Sequence, residues 1–234
     1  MLRVISLFKG MKIVISESQY KRLIETKEEQ KVLRIPSLKF FNDDWFILQE
    51  FLETKGNPPY SISGDLDLRD TPIESLGNLV SVGGYLDLRR TPIKSLGNLQ
   101  SVGGFLYLRG TPIESLGNLV SVGGELDLRR TPIESLGNLV SVGGGLMLYN
   151  TPIESLGNLQ SVGGYLDLTG TQIKSLRNLQ SVGGYLDLEG AQIKSLGNLQ
   201  TVGGRLDLRE TPLSKMYNEK QIHKMVNVEG DIYL

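Results

Sequence analysis

YLDLRRTPIKSLGNLQSVGG, residues 85–104, is one of seven units of the same pattern that fill residues 65–204 at a spacing of 20 without an insertion. Its signature begins at Leu66-Asp67-Leu68 and returns as Leu86-Asp87-Leu88, onward to Leu206-Asp207-Leu208. A fixed period of this length is the mark of a solenoid. Leu86 and Leu88 share one face of a strand because side chains alternate. Ile93, Leu96, Leu99 and Val102 complete six apolar residues in the unit. Each contributes about 1.5–3 kcal/mol when fully buried. Fixing each backbone residue costs about 1–2 kcal/mol. A lone unit therefore does not fold, and stacked units must bury one another's leucines. Two partial copies flank the array. Ser61-Ile62-Ser63-Gly64 stands where Ser81–Gly84 stands, and Val226–Leu234 echoes Val80–Leu88.

Comparing the units shows which positions the backbone dictates. Gly84 has a glycine counterpart in every unit, and in Gly64 and Gly230, which predicts a positive φ or a tight backbone approach. Gly77 is replaced once, by Arg177. Asn78 recurs through Asn198 and again at Asn218, which predicts a column of amides bonded to turn backbone. Thr71 recurs until Ala191, so its hydroxyl helps without being required. Pro72 follows the strand, where no ladder donor is wanted; Gln172 and Gln192 replace it.

The phrase GGxLxLxxTxI resembles the leucine-rich repeat consensus, with Thr91 where that family usually carries asparagine. SVGGxLxL is also similar to receptor L-domain repeats. The resemblance covers about three quarters of the chain. It implies a right-handed solenoid with one parallel β-sheet and, most often, protein recognition. The threonine puts the family's asparagine ladder in doubt at that position. The N-terminal 60 residues and the C-terminal helix resemble those of uncharacterised phage and bacterial repeat proteins.

The expected fold class is therefore an α/β or mainly β repeat. Its parts are an N-terminal helical cap over 1–64, seven repeats over 65–204, and a cap repeat over 205–234. The back of each unit, TPIKSLGNLQSV, holds proline and glycine, which predicts turns or brief 3₁₀ segments and a gently curved solenoid. At the N-terminal end, residues 43–55 read as a helix with Asn42 as N-cap and Gly56 past its end. Trp45, Leu48 and Leu52 form its apolar face, with Phe51 beside them. An earlier helix is expected over 17–29, from Ser16 with Gln19 as capping box. Asn218 with Gln221 predicts a short helix through Val226, followed by a strand at 231–234. That strand's outer edge suggests a homodimer, with a monomer shielded by the preceding helix as the alternative.

The formal net charge of −1 argues against a general nucleic-acid binder. No cysteine is present, so thiolate chemistry and disulfides are excluded. No stretch has the apolar length of a membrane span, and Arg3, Lys9 and Lys12 interrupt the first residues, so no signal peptide is read. A cytoplasmic location is favoured, and either Met1 or Met11 suits a start. The single histidine, His223, falls in the C-terminal cap, away from any serine and aspartate that could form a triad. The glycine pairs lack the lysine of a phosphate loop. The expectation is a non-enzyme without cofactor or metal. An aspartate column offers one carboxylate per rung, a poor calcium site.

The outward positions of the Leu-x-Leu strand carry the functional expectation. Framework columns hold constant while these vary and present tyrosine, phenylalanine, methionine and arginine, types enriched at hot spots. The candidate partner-binding residues are Tyr85, Asp87, Arg89, Phe105, Tyr107, Arg109, Glu125, Asp127, Arg129, Met147, Tyr149, Tyr165, Asp167, Tyr185 and Asp187. A protein partner is the leading reading. The others are sugar rings stacked on Tyr85, Phe105, Tyr165 and Tyr185, as in an adhesin, and a passive spacer.

Overall fold

The computed structural model describes residues 2–6, 12–16 and 32–234. The helix expected over 17–29 lies outside these residues. Leu2–Ser6 and Lys12–Ser16 form a two-stranded antiparallel ribbon. From residue 32 onward the chain is a parallel β-solenoid.

The Leu-x-Leu strands pair in the order expected. Leu66–Asp67 through Leu206–Asp207, then Ile232–Tyr233, build a nine-stranded parallel sheet, here the leucine sheet. Leu126 faces Leu106 and Leu146 in register, and the same pairing repeats along the stack. A single sheet was expected, and the structure corrects this. The Ser-Val segments form a second parallel sheet, the valine sheet. Its ten strands run from Leu33–Ile35 through Tyr60–Ile62 and Leu79–Val82 to Asn227–Val228. Of the turns expected on this side, the one at Gly97–Asn98 is present, closed by the Leu99 N–H on the Leu96 carbonyl at 3.2 Å, while the Ser-Val segment is extended chain. The reason is backbone pairing: the N–H groups of Gly103 and Gly104 donate to the Val82 and Gly84 carbonyls one rung back, at 2.8 and 2.9 Å. The remaining stretch is Thr-Pro-Ile-x-Ser. It makes only isolated parallel bridges, such as Ser95 to Ser115.

The glycine pair makes the second ladder close enough to form. A Cβ on Gly123 would lie 2.1 Å from the Gly103 carbonyl oxygen. One on Gly124 would lie 2.8 Å from the Gly104 carbonyl carbon. Close approach, rather than positive φ, is thus the reason for this column. Positive φ falls elsewhere, at Gly77 (58°), where Arg177 adopts 44°, and just past the leucine strand. There Arg90, Gly110, Arg130 and Asn150 are all left-handed.

The core is continuous through the stack. Leu86, Leu88, Ile93, Leu96, Leu99 and Val102 are all buried, and so are their counterparts in each rung. The threonine after the strand is buried too. The Thr91 hydroxyl donates to the Leu88 carbonyl at 2.7 Å, and the equivalent bond forms from Thr71 to Thr211. Where Ala191 stands, its backbone N–H still reaches the Leu188 carbonyl at 2.9 Å. The recurrent serine closes its own turn, since the Ser75 hydroxyl accepts the Gly77 N–H at 3.0 Å. The asparagine column is looser than expected. Asn98 donates to the Asn78 side chain, whereas Asn138 and Asn178 donate to glycine carbonyls of the preceding rung.

At the N-terminal end α1 spans Trp45–Thr54 and is shorter than expected. Its N-cap is Asp44, whose carboxylate accepts the N–H groups of Phe46 and Ile47. Asn42, expected in that role, instead closes a 3₁₀ turn over Leu38–Phe41 in a left-handed conformation. Trp45, Leu48 and Leu52 are buried in the common core, Phe51 packs against it, and Gly56 follows the helix with φ +78°. The Tyr60 hydroxyl donates to the Leu76 carbonyl at 2.9 Å and accepts from Gln49 of α1 at 3.2 Å, tying the helix to the first rung. At the other end α2 spans Glu219–Met225 with the expected capping box between Asn218 and Gln221. Asn218 therefore leaves the asparagine column to cap a helix. None of the helices among the described residues is long and apolar enough to cross a membrane.

Two substitutions separate close approach from hydroxyl bonding. Gly123→Ala overpacks the rung contact and should cost about 1–3 kcal/mol. Thr131→Ala should cost about 0.5–1.5 kcal/mol, because Ala191 already occupies the equivalent site. Urea denaturation followed by circular dichroism should rank Gly123→Ala as the less stable variant.

Candidate binding face

Three columns of side chains stand on the outer side of the leucine sheet, set by the alternation of Leu-x-Leu. They begin at Asp65, Asp67 and Arg69 of the first rung and continue through Tyr85, Asp87 and Arg89 of the second. The structure places all the candidate residues on this face but divides them by exposure and bonding.

The aspartates are largely spoken for. Asp87, Asp127 and Asp207 are 2%, 4% and 1% exposed, so they offer little to a partner. Each accepts the backbone N–H of the residue two positions on, as Asp127 does from Arg129 at 3.1 Å. Each also holds that arginine's guanidinium bidentately. Arg129 Nε and Nη2 lie 2.7 and 2.6 Å from the two oxygens of Asp127. Asp67 with Arg69 and Asp207 with Arg209 repeat the arrangement. Arg69 also reaches Asp87 of the next rung at 3.3 Å. Asp167 and Asp187 accept the same local N–H from Thr169 and Glu189. The aspartate column thus ends the strand in a side-chain-closed turn. The Arg69 side-chain bonds hold the Asp67 carboxyl below the usual carboxylate range. Burial opposes this for Asp207, and the Arg209 bonds outweigh it.

Two rungs break the column. In the third, Tyr107 takes the aspartate's place between Asp87 and Asp127. Its ring stacks on Phe105 at 5.9 Å and 18°, and Arg89 lies 5.0 Å over it. Phe105 is 46% exposed, the most open large apolar side chain on this face. Arg109, left without an aspartate in its own rung, is exposed. In the fifth rung Met147 takes the aspartate's place but is only 7% exposed, so it is not the open contact expected. Tyr149 beside it accepts a hydrogen bond from Arg129 at 3.0 Å, with the guanidinium 5.4 Å from its ring.

Gly145 explains the next feature. A Cβ there would lie 2.4 Å from the Tyr165 ring. Its absence lets Tyr165 lean across the fifth rung and donate its hydroxyl to Glu125 at 2.8 Å, two rungs back. On the other side Tyr185 stacks on Tyr165 at 5.0 Å and 9°, and Arg205 lies 5.0 Å over Tyr185. Tyr185 is therefore flanked by Tyr165 and Arg205 while remaining 36% exposed. Tyr85 is half-buried on the second rung.

Asp187, Glu189 and Asp207 bring three carboxylates to within 4.8 Å of one another. Arg209 bonds both Glu189 and Asp207, and Arg205 approaches Asp187 at 3.4 Å. The arginines answer the charge that a cation would answer. His223 lies on the exposed side of α2, its Nε2 3.8 Å from Glu219 one turn earlier.

A second surface feature was not legible in the sequence. A groove of about 760 Å³ runs along the outer side of the valine sheet, floored by the serines from Ser81 to Ser181 and the glycines from Gly83 to Gly203. The signal for it was the serine-valine-glycine column, which reads as a turn until the second ladder is recognised. No family model, curated protein or solved structure matches the chain.

Burial first, and then the bond to Glu125, hold the Tyr165 phenol above its ordinary value of 10.0. Burial does the same for Tyr60, against a smaller opposing effect of Gln49. In the unfolded chain both phenols release their protons near 10, while the folded chain retains them. The unfolded state then binds fewer protons, so stability falls as pH rises above about 10 and is unaffected by these groups below it. Urea midpoints measured from pH 8 to 11 should drop at the alkaline end, and Tyr165→Phe should make that drop shallower. An unchanged slope in Tyr165→Phe would show that the phenol is not held protonated.

Proposed function

We propose that this chain is a non-enzymatic, protein-binding scaffold that works through the outer face of the leucine sheet. The observation that carries the proposal is the exposed Phe105 ring, stacked on a half-buried Tyr107 where the aspartate–arginine ladder lapses. In the second, fourth and eighth rungs the aspartate and arginine of this face satisfy one another. At the third rung Phe105 and Arg109 stand open beside the half-buried Tyr107, on a backbone held by ladders on two sides. Rigid aromatic anchors and arginine are the side chains that dominate protein interfaces, because they bury much area at little entropic loss.

The finer assignments belong to the same proposal: kinship with leucine-rich repeats, right-handed winding, and α1 and α2 as caps. Connections between parallel strands of one sheet are right-handed in nearly all folds. The threonine that replaces the family's asparagine bonds the strand-end carbonyl in the buried turn. The two ladders and the buried leucines support a repeat that cannot stand alone. The carbohydrate reading is weaker, because Tyr165 and Tyr185 stack on each other.

Affinity capture from the native host's lysate tests the face. The double variant Phe105→Ser, Tyr107→Ser should lose the captured partner with a thermal midpoint close to that of the unaltered chain, since neither ring is in the core cluster. A variant of the opposite groove, Ser121→Asp, should keep the partner. Met147→Ser does not serve this purpose, because Met147 is buried and the change should destabilise. Retention of the partner by the double variant, with loss in Ser121→Asp, would move the binding site to the valine sheet.

A further inference from the structure

The arginine column contains its own internal comparison. Arg69, Arg89, Arg129 and Arg209 each hold a carboxylate of their own rung through two nitrogens. Arg109 has no such partner, because Tyr107 stands two residues before it. Arg109 forms no ion pair among the described residues, although it sits between Arg89 and Arg129 on neighbouring strands. Arg130, just past the fourth strand, is exposed and also forms no ion pair among the described residues. Its neighbours in the same column are Gly110 and Asn150, so no carboxylate of that column reaches it. In contrast, Arg90 in the second rung is held by Asp70 at 2.7 Å.

The surplus positive charge is bounded. Before it, the first rung carries Asp65, Asp67 and Asp70 around Arg69. Within it, Glu125 of the fourth rung is held by the Tyr165 hydroxyl at 2.8 Å; after it, the sixth and seventh rungs carry Asp167, Asp187 and Glu189. A long polyanion laid along the face would meet those carboxylates. The open window covers the second to fourth rungs, two strand spacings of about 4.8 Å, which an extended chain at about 3.3 Å per residue crosses in roughly three residues. The exposed Phe105 ring borders it.

We propose that this window binds a short acidic segment of a protein partner, with carboxylates on Arg109 and Arg130 and an apolar side chain against Phe105. The proposal rests on the reading of the leucine-sheet face as the binding face. A partner carboxylate at Arg109 completes the pairing that Asp87 and Asp127 complete in the adjoining rungs. Guanidinium–carboxylate pairing is geometrically exacting, which gives the segment its orientation as well as its charge.

The test uses the full chain and fluorescence anisotropy with a fluorescein-labelled peptide EEFEE, a neutral counterpart QQFQQ, and an oligothymidylate of the same charge. EEFEE should bind at least about tenfold more tightly than either comparison probe, the order of one charge-assisted pair. Arg109→Ala should weaken EEFEE binding about tenfold, and Arg209→Ala should leave it unchanged. Tyr107→Asp is the decisive variant. It rebuilds in the third rung the arrangement that Asp127 and Arg129 adopt in the fourth, so it should fold as the unaltered chain does while losing EEFEE binding. Equal binding of QQFQQ, oligothymidylate binding as tight as EEFEE, or full binding by a folded Tyr107→Asp would overturn the proposal. No binding of EEFEE at all overturns it too. The capture experiment with Phe105→Ser, Tyr107→Ser then reports separately whether the face itself binds a partner.

Discussion

Everything in this solenoid depends on how closely one rung's backbone can approach the next at the glycine pair. Parallel ladders require strands about 4.8 Å apart. On the leucine side, side chains alternate in and out, and the spacing comes with ordinary strand geometry. On the other side the chain turns toward the leucine strand through two consecutive residues that press directly on their counterparts, with Gly123 on Gly103. A side chain there would push the rungs apart on one side only. The valine ladder would then open, and the inward valines would lose their neighbours. The glycines are therefore a packing constraint, and the period of 20 is the length of chain that closes one such circuit.

With the rungs held at that spacing, like charges on one column become a problem of their own. Aspartates at strand spacing repel by about 1 kcal/mol per pair in water, and by more where solvent is excluded. The structure resolves this locally. Each buried aspartate is used twice, as acceptor for the turn N–H and as the anchor of its rung's arginine. The pair is then nearly neutral to its neighbours, and the column can repeat. The aspartate is retained because it shapes the turn, and the arginine because it neutralises the aspartate. A rung that drops the aspartate, as the third does, keeps its strand but releases its arginine.

Much of this fold was legible in the sequence, because period and apolar pattern are enforced by core burial at every rung. The leucine sheet, its order and its nine rungs follow from Leu66 to Leu206 and the echo at Ile232. The valine sheet was not legible. Most of its strands are two residues long, carry a serine and run into a glycine pair, a composition that signals a turn wherever no neighbour is in place. Only the stacked rungs supply the partners that make it a sheet. The same holds at Asn42 and Asp44, which are both competent caps by type. The choice between them depends on the 3₁₀ turn over Leu38–Phe41, which is seated by Leu38 in the core.

The candidate face was legible as a set of positions but not as a set of roles. Alternation told which residues point outward. It could not tell that Asp87 would be buried by its own arginine, or that Met147 would be covered while Phe105 stayed open. Those differences arise between rungs: Tyr165 reaches Glu125 only because Gly145 leaves room for its ring. In a repeat protein each rung is the control for the next. A residue type that recurs with the same bonds in rung after rung is accounted for by the frame. The third rung keeps the frame's leucines, glycines and threonine, yet it exchanges the aspartate for an aromatic ring and leaves an arginine unpaired among the described residues. The paired arrangement stands in the rungs on either side, so the frame does not require that exchange. The departure is therefore the feature of the face on which the proposed binding role rests.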